Sequence, residues 1–352
     1  MAYTTIDNPG SFFKTVLYTG NGSTQSVTGA GFQPDWVWIK ERDDTSAHNI
    51  YDSVRGVQKY IYSSETTVEQ TGSNSLTAFD SDGFSVGNGS FINQSSQGYA
   101  SWNWLAGTTG SGSTGGSGTS KSYTYSANTT AGFSITRYTG NGTSGHTIPH
   151  NLGVTPQMII IKSTELTQNW SIYHHKLNSG TNPEVKYLEL NSTNAQLDSA
   201  SIFNDAPPTS SHFVLGNSDA VNTSNGVNIA YCFAEKKGYS KFGFYTGNGN
   251  DDGPFVYTGF RPAFIIIKPS SKSEEWTLID NKRLGFNVDN NYVYPNQNYA
   301  EGTSNRLDIT ANGFKLRDDT GETNTSGATM IYMAFAEAPF VTAGTKAAGT
   351  AR

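Results

Sequence analysis

The pentapeptide Tyr-Thr-Gly-Asn-Gly occurs three times in this chain of 352 residues, at Tyr18–Gly22, Tyr138–Gly142 and Tyr245–Gly249. Identity over five residues, repeated at intervals of domain length, is typical of a serial array of one module. A motif found in one copy must therefore be compared with its equivalents in the other two.

The similarity between the copies extends beyond the pentapeptide. Each copy continues with a proline and, six residues later, a lysine that closes an apolar run. Twelve residues past that lysine stands an aspartate or a histidine, followed later by a Gly-Phe or His-Phe pair and an apolar closing run. These positions are Pro34–Lys40, Asp52, Gly83–Phe84 and Ala100–Leu105; Pro156–Lys162, His174, His212–Phe213 and Ile229–Ala234; Pro262–Lys268, Asp280, Gly313–Phe314 and Ile331–Ala336.

The apolar runs predict strands rather than helices. They are short, rich in β-branched and aromatic residues, and bounded by Gly or Pro. In the closing runs the apolar side chains alternate, as at Ala100, Trp102 and Trp104. The Asn-Gly pair inside each pentapeptide favours a hairpin turn, and no segment shows a sustained helical period. We therefore predict an all-β chain of three tandem β-sandwich, jelly-roll-like modules.

The modules are predicted at residues 1–107, 123–238 and 239–340. Between the first two, residues 108–122 are almost entirely Gly, Ser and Thr with no apolar side chain. This composition is typical of a flexible linker with a span of about 20 Å. Since no such linker follows module two, we expect modules two and three to pack as a fixed pair while module one moves independently. The small, Gly/Ala-rich tail, residues 341–352, is expected to be disordered or to lie as an arm on a neighbour.

Composition excludes several function classes. The formal net charge is −6, and no basic run interleaved with aromatic residues is present, so we predict no nucleic-acid partner. No apolar stretch approaches the ~18–20 residues that cross a bilayer, so no membrane insertion is expected. The first residues show no signal peptide. The lone cysteine, Cys232, is predicted to be a buried thiol.

Two motifs resemble those of enzymes. Gly83–Gly87 matches the Gly-x-Ser-x-Gly pattern around Ser85, but the equivalent residues are Val214 and Lys315 and no helix signal follows. Gly140–Gly145 matches Gly-x-Gly-x-x-Gly, but the next residues, His-Thr-Ile-Pro-His, do not begin a long helix. We therefore predict a protein that is not an enzyme, with no catalytic residues and no cofactor, and we assign no ligand-binding residue.

Metal binding is also not predicted. A zinc site needs three or four converging ligands, and His146 and His150 flank a Pro-containing extended segment rather than one helical face. We expect the module-two histidines to be polar surface or interface residues whose protonation near pH 5–6 tunes an interface. The acidic pairs lack the spacing of a calcium-binding loop and are predicted to be solvated turns. The histidines are His146, His150, His174, His175 and His212, and the acidic pairs are Asp80/Asp82, Asp251/Asp252 and Asp318/Asp319.

A lysine and an aspartate recur at the same spacing in modules one and three. An arginine stands three residues past each aspartate. We predict that each lysine lies close to its aspartate in a partly buried ion network. A carbohydrate or acidic-ligand site is the alternative interpretation. The sequence of module two argues against both interpretations, because His174 and Leu177 replace the aspartate and the arginine. The residues concerned are Lys40, Asp52 and Arg55, and Lys268, Asp280 and Arg283.

The repeated pattern resembles a known one. The segments Phe32–Lys40 (FQPDWVWIK) and Tyr51–Gly56 (YDSVRG), together with the pentapeptide and the Gly-Phe pair, are similar to a repeat of virion proteins from marine and cyanobacterial tailed phages. Those proteins are tail-fibre, appendage or capsid-associated proteins. The resemblance covers about residues 10–340, fits module one best and module two least. It implies β-sandwich modules and a virion location, and it supplies no catalytic residues to carry over to this chain.

We therefore expect a non-enzymatic phage virion structural protein: a tail-fibre, appendage or capsid-surface subunit, assembled in the host cytoplasm. Its expected partners are other copies of itself and other virion proteins. The alternative is an array of carbohydrate-binding modules for host recognition, with a host cell-surface glycan as partner and loop tyrosines such as Tyr292 and Tyr294 as platforms. A polysaccharide-degrading enzyme is a third hypothesis, but no pair of carboxylates stands out for that chemistry.

Overall fold

The structure is a computed structural model that describes residues 4–284 and 287–341. Strands dominate this part of the chain, and each of its four α-helices is four residues long. The predicted all-β class is confirmed. Three short 3-10 turns complete the regular structure, at Pro9–Ser11, Leu177–Gly180 and Pro183–Val185. The tail predicted at residues 341–352 lies, beyond its first residue, outside the described residues.

The first repeat forms two antiparallel sheets, with strand orders β1-β9-β3-β4-β5-β6 and β2-β8-β7. Its elements are β1 (Phe13–Thr19), β2 (Gln25–Thr28), β3 (Trp36–Glu41), β4 (Asn49–Asp52), β5 (Lys59–Tyr62), β6 (Gln70–Thr71), β7 (Leu76–Asp80), β8 (Gly83–Val86), α1 (Ser90–Asn93) and β9 (Gly98–Trp104).

The second repeat forms the sheets β10-β12-β13-β20-β15-β16 and β11-β14-β19, and the pair β17-β18. Its elements are β10 (Thr108–Ser113), β11 (Gly115–Gly116), β12 (Ser122–Asn128), β13 (Phe133–Thr139), β14 (His146–Pro149), β15 (Met158–Ser163), β16 (Ser171–His174), β17 (Lys186–Tyr187), β18 (Leu197–Asp198), α2 (Ala200–Phe203), β19 (His212–Leu215), α3 (Asp219–Asn222) and β20 (Val227–Phe233).

The third repeat again forms a large and a small sheet, β21-β29-β23-β24-β25-β26 and β22-β28-β27. Its elements are β21 (Ser240–Thr246), β22 (Phe255–Tyr257), β23 (Phe260–Pro269), β24 (Thr277–Asp280), β25 (Asn290–Val293), β26 (Gly302–Ser304), β27 (Leu307–Thr310), β28 (Gly313–Leu316), α4 (Gly321–Asn324) and β29 (Thr329–Pro339).

Each large sheet is buried on both faces. One face packs on the small sheet of the same module, giving three separate sandwich cores. The other face contributes to a single core shared by all three modules. This double burial explains the uninterrupted apolar runs Trp36–Ile39 in β3, Met158–Ile161 in β15 and Ala263–Ile267 in β23, since strands covered on both sides do not need polar alternation.

The shared core is rich in aromatic rings. The Trp36 ring of module one lies 4.7 Å from that of Tyr231 in module two. The Phe335 ring of module three lies 5.3 Å from that of Phe13 in module one and 6.1 Å from that of Phe233 in module two. Centroid separations of 4.5–7 Å are typical of favourable aromatic pairs. The expectation that module one moves independently of a two–three pair is therefore wrong, because its inner face is buried against both other modules.

The predicted linker is also ordered. Strand β10 pairs along its whole length with β12, and β11 pairs with β14. The rings of Tyr123 and Tyr125 lie across Gly112 and Gly110, where an added Cβ would come within 2.8 and 2.7 Å of ring atoms. The glycines let two aromatic rings cover the strand, a known way of stabilising glycine in a sheet. The expectation of a flexible segment is wrong because composition alone does not reveal this match of Gly-x-Gly to Tyr-x-Tyr.

The repeated pentapeptide is not a hairpin. It connects the large sheet to the small one and docks on the short helix that precedes the closing strand. In module one the Tyr18 hydroxyl donates to the Ile92 carbonyl at 2.7 Å, and the Asn21 amide donates to Asn93 Oδ1 at 2.9 Å. A Cβ on Gly20 would lie 2.1 Å from the Gln94 carbonyl oxygen, so only glycine fits. Modules two and three repeat these contacts through Asn222 and Asn324.

Candidate functional site

The three modules contact one another in a closed cycle. The Glu69 amide of module one donates to the Thr164 carbonyl of module two at 2.9 Å. The Gln196 amide of module two donates to the Ser270 carbonyl of module three at 2.8 Å, and the Glu301 amide of module three donates to the Arg42 carbonyl of module one at 2.8 Å. Each acceptor stands two residues past the repeated lysine. The chain therefore resembles a closed trimer whose three subunits are joined covalently.

The aspartates singled out by the sequence lie in these interfaces. Asp52 Oδ2 accepts a hydrogen bond from the Tyr231 hydroxyl of module two at 2.8 Å. Asp280 Oδ2 accepts one from Trp102 Nε1 of module one at 2.9 Å. The interface between modules two and three lacks an equivalent hydrogen bond to a carboxylate. Met333 occupies the position of Tyr231 and Trp102 and has no hydrogen to donate, and His174 Nε2 instead donates to the neighbouring Tyr332 carbonyl at 3.2 Å.

This difference accounts for the departure of module two from the repeat. In modules one and three the buried aspartate also pairs with an arginine, Arg55 or Arg283, and all four side chains are fully buried. A glutamate completes each network, Glu69 at 3.4 Å and Glu301 at 3.0 Å from the guanidinium. In module two the equivalents are His174, Leu177 and Gln196, all uncharged at neutral pH. A buried ion needs partners. The absence of a donor at Met333 is therefore matched by the absence of charged side chains at the three module-two positions that correspond to the network.

The predicted pairing of lysine with aspartate is wrong. Asp52 lies opposite Trp36 across the β3–β4 ladder, so Lys40 is four residues further along the strand, a separation of about 13 Å at the usual rise. The residues share a face but not a contact. Burial of the aspartates is complete rather than partial. Arginine, not lysine, pairs with each aspartate. Its planar guanidinium presents several N–H donors that can bond to one carboxylate.

The buried lysines serve a different purpose. Lys162 Nζ donates to the Gln168 carbonyl at 2.9 Å and to the Thr66 carbonyl of module one at 3.0 Å. Lys268 Nζ donates to the Glu274 carbonyl at 2.7 Å and to the Thr193 carbonyl of module two at 3.0 Å. Burial lowers the pKa of both ammonium groups to about 8. Each of these lysines therefore fixes the loop after its strand and joins it to another module.

The enzyme-like and acidic motifs have structural partners. Ser85 lies in β8, where its hydroxyl donates to Asp80 Oδ2 at 2.7 Å and contacts the Ser26 hydroxyl at 2.9 Å. The segment after Gly145 is strand β14, not a helix. Asp82 accepts the Gly31 amide at 2.6 Å, and Asp318 accepts hydrogen bonds from Thr320 and Thr323, each at 2.7 Å.

The histidines are more buried than expected. His146 Nδ1 donates to Asn222 Oδ1 at 2.9 Å, and its Nε2 accepts from the Thr114 hydroxyl at 2.7 Å. His146, His150 and His174 are all buried, so the expectation of surface residues is wrong for His146 and His150, whereas His174 lies at the interface of modules two and three, which the expectation included. Burial lowers the pKa of each of them, and that of His174 to about 3. Within residues 4–284 and 287–341, no group of three His, Cys, Asp or Glu side chains is placed to hold a metal ion.

The two tyrosines named as glycan platforms are engaged within module three. Tyr292 lies in β25, and the Arg306 guanidinium stacks on its ring at 4.3 Å. The Tyr294 hydroxyl donates to Glu322 Oε1 at 3.1 Å. These contacts hold both rings in place within the module.

Two open depressions follow the module boundaries. The first, which we name the 2–3 groove, has a volume of about 360 Å³. The second, the 3–1 cleft, lies at the equivalent boundary and has a volume of about 70 Å³. A depression of about 370 Å³ adjoins it at Asn281 and Lys282, but residues of module three alone line that depression. The groove is lined by His175, Lys176 and Glu235 of module two and by Lys241, Phe244 and Tyr332 of module three. The cleft places Asn281, Lys282, Glu337 and Lys14 at the positions of His175, Lys176, Glu235 and Lys241.

Sequence reasoning missed several of these residues. Asn93, Asn222 and Asn324 each carry the pentapeptide contact, and each stands at the end of the short helix before the closing strand. Their recurrence at equivalent positions is a sequence pattern from which the contact with the pentapeptide can be predicted. The sequence gives no sign of the donors Tyr231 and Trp102 or of the 2–3 groove, because these features depend on how the modules face one another.

Comparison with known proteins places the chain in a family. No helix in the described part of the chain is long and apolar enough to cross a membrane. No curated protein and no solved structure matches the chain. The profile of one family, described as a domain of unknown function (DUF7483), matches residues 8–339. This span includes all three modules and the ring of contacts that joins them. The chain therefore belongs to the DUF7483 family.

Proposed function

We propose that this protein is a non-enzymatic structural subunit of a phage virion, a tail-fibre, appendage or capsid-surface protein that acts by assembly and surface contact. The observation that carries the proposal is the closed cycle of module contacts. The residues that most resemble functional groups, the buried Asp–Arg–Glu networks, are occupied with joining modules. A single chain that folds into a trimer-like block is well suited to a structural role.

The similarity of the repeat to virion proteins of marine and cyanobacterial tailed phages supports the virion location. Under this proposal the chain assembles in the host cytoplasm with other copies of itself and with other virion proteins. Within the described residues, the six outer strands of the small sheets each pair on one side only: β2, β7, β11, β19, β22 and β27. Unpaired strand edges are natural places for contact between copies.

Mass spectrometry of purified particles tests the proposal. The chain is expected to be present at a fixed copy number per particle and to resist removal by high salt. Labelling with an antibody in electron micrographs then gives its position on the particle. Absence of the chain from washed particles, while it is abundant in the lysate, would overturn the proposal.

A further inference from the structure

The 2–3 groove differs from its equivalent in the 3–1 cleft in size and in one wall. Gly243 lies on the groove where module one has Val16, and a Cβ at Gly243 would lie 2.5 Å from the Tyr332 hydroxyl. Glycine therefore lets the Tyr332 ring lie against β21 as part of the wall. The resulting volume, about 360 Å³, falls in the range of small-ligand sites, whereas about 70 Å³ does not.

An exposed aromatic ring stands at the groove. Phe244 is 41% exposed, and Lys176 Nζ lies 6.0 Å from its ring centroid. The equivalent of Phe244 in module one is Leu17, and in module two it is Arg137, so the ring is particular to this boundary. An open aromatic face packs against the C–H groups of a sugar ring and is attractive to a nearby cation.

The polar groups of the groove are partly unengaged. Lys241 pairs with Glu235 at 2.8 Å, but among the described residues Lys176 has no carboxylate within ion-pair distance. His175 Nε2 donates to the Phe242 carbonyl at 2.7 Å, which orients the ring and leaves Nδ1 as an acceptor. The Tyr332 hydroxyl has no hydrogen-bond partner in the described part of the chain. The groove thus offers one unpaired cation, one donor and one acceptor beside an aromatic face.

We propose that the 2–3 groove binds a hexuronate unit of an acidic polysaccharide. The ring of the sugar lies on Phe244, its carboxylate faces Lys176, and its hydroxyls reach Tyr332 and His175. The ion pair of Lys241 with Glu235 leaves the groove with a single net positive charge, so one carboxylate is the complement. This binding activity goes beyond the structural role proposed above and does not depend on it.

Titration of the full-length protein tests this inference. The probes are hexamers of α-1,4-galacturonate and β-1,4-mannuronate, and the control ligand is the methyl ester of the galacturonate hexamer. Binding is followed by calorimetry or by ligand-observed NMR. We expect millimolar or tighter binding of at least one charged hexamer, about tenfold weaker binding of the ester, and weaker binding at high salt because an ion pair is screened.

Matched variants connect the binding to the groove. Phe244→Ala and Lys176→Ala are expected to weaken binding about tenfold each. Leu17→Ala and Lys282→Ala change the equivalent positions of module one and the 3–1 cleft and are expected to leave binding unchanged. Circular dichroism and the unfolding midpoint check that each variant is folded. The inference is wrong if neither hexamer binds at millimolar concentration, if the ester binds equally well, or if the control variants weaken binding as much as the groove variants.

Discussion

At the scale of single residues, a buried carboxylate is held by donors from two modules. Asp52 accepts from Arg55 within module one and from Tyr231 of module two. Truncation removes the fully buried carboxylate beside the Arg55 guanidinium and leaves that group with Glu69 at 3.4 Å as its remaining ion pair among the described residues. Asp52→Ala is therefore expected to lower the free energy of unfolding by about 3–5 kcal/mol, measured by urea denaturation.

A surface pair provides the control. Asp198 pairs with Lys186, and the Asp198 side chain is 64% exposed. Asp198→Ala is expected to change the free energy of unfolding by about 0–1 kcal/mol. Equal, small losses for the two variants would contradict the account of the Asp52 network.

The buried histidine makes stability depend on pH. Burial, and the neighbouring His175, hold the pKa of His174 at about 3 in the folded protein, whereas an unfolded histidine titrates near 6.5. The unfolded chain therefore binds the extra proton first, and stability falls as pH decreases from about 6.5 toward 3. Between pH 6.5 and 5.5 this single residue contributes a loss of about 1 kcal/mol.

His174→Gln isolates that contribution, because glutamine keeps a donor but does not titrate. Urea denaturation at pH 7.5 and 5.5 is expected to show about 1.4 kcal/mol less acid destabilisation in the variant than in the parent. Identical pH dependence in the two proteins would show that the proton uptake of His174 does not contribute.

At the scale of elements, strand β10 depends on the aromatic rings opposite it. Tyr125 covers Gly110, and the pairing of β10 with β12 spans Thr108–Ser113. Amide hydrogen exchange is expected to show protection of alternate β10 amides, and Tyr125→Ala is expected to accelerate their exchange about tenfold or more. Exchange of the β10 amides at the rate of an unfolded peptide in the parent protein would restore the flexible-linker interpretation.

The short helix and the pentapeptide form a second element-scale unit. Asn222 accepts the Asn141 amide at 3.0 Å and donates to the Gly216 carbonyl at 2.7 Å. Asn222→Ala leaves these groups unpaired, and each that is buried costs about 1–3 kcal/mol. We expect a loss of about 2–4 kcal/mol in the free energy of unfolding, measured by urea denaturation.

A neighbouring asparagine is the matched control for Asn222. Asn217 is exposed and lies in the same connection, before α3. Asn217→Ala removes the same side chain from a solvated position and is expected to change the free energy of unfolding by about 0.5 kcal/mol or less. Losses of equal size at the two positions would show that the contacts of Asn222 do not hold the pentapeptide.

Elements are predictable to different degrees. The Pro-to-Lys runs form β3, β15 and part of β23, because β-branched and aromatic residues between Gly and Pro specify a strand locally. The turn chemistry of Asn-Gly is misleading, because the same backbone freedom serves a crossover between sheets as well as a hairpin. The sequence locates the networks around Asp52 and Asp280 but predicts the wrong partner, since spacing does not show that Lys40 lies at the other end of the strand.

At the scale of the whole molecule, the shared core predicts cooperative unfolding. The Phe335 ring of module three contacts rings of modules one and two, among them Trp104 at 5.6 Å and Phe233 at 6.1 Å. Phe335→Ala is expected to destabilise the chain by about 3–5 kcal/mol in a single transition. Tryptophan fluorescence and far-ultraviolet circular dichroism are expected to coincide. Separate transitions for module one and for the rest would show that the core is not shared.

The architecture also changes what the chain needs from partners. Each large sheet is covered by the other two modules, so the chain supplies within itself the burial that a homotrimer would supply between subunits. If the chain assembles as proposed, the small-sheet edges and loops are the surfaces left for contact with further copies. None of this is visible in the sequence, because repeat number predicts an array but not whether the array closes.

Distances between spin labels on different modules show whether the three modules form one rigid closed block. Val57, Val154 and Tyr299 are exposed positions in modules one, two and three, and cysteines placed there in pairs, in a Cys232→Ala background, report the three intermodule distances. We expect one narrow distance distribution for each pair, unchanged by temperature below unfolding, because the three modules share one core. Broad distributions for the two pairs that include Val57, with a narrow one between Val154 and Tyr299, would show that module one moves and would contradict the closed block.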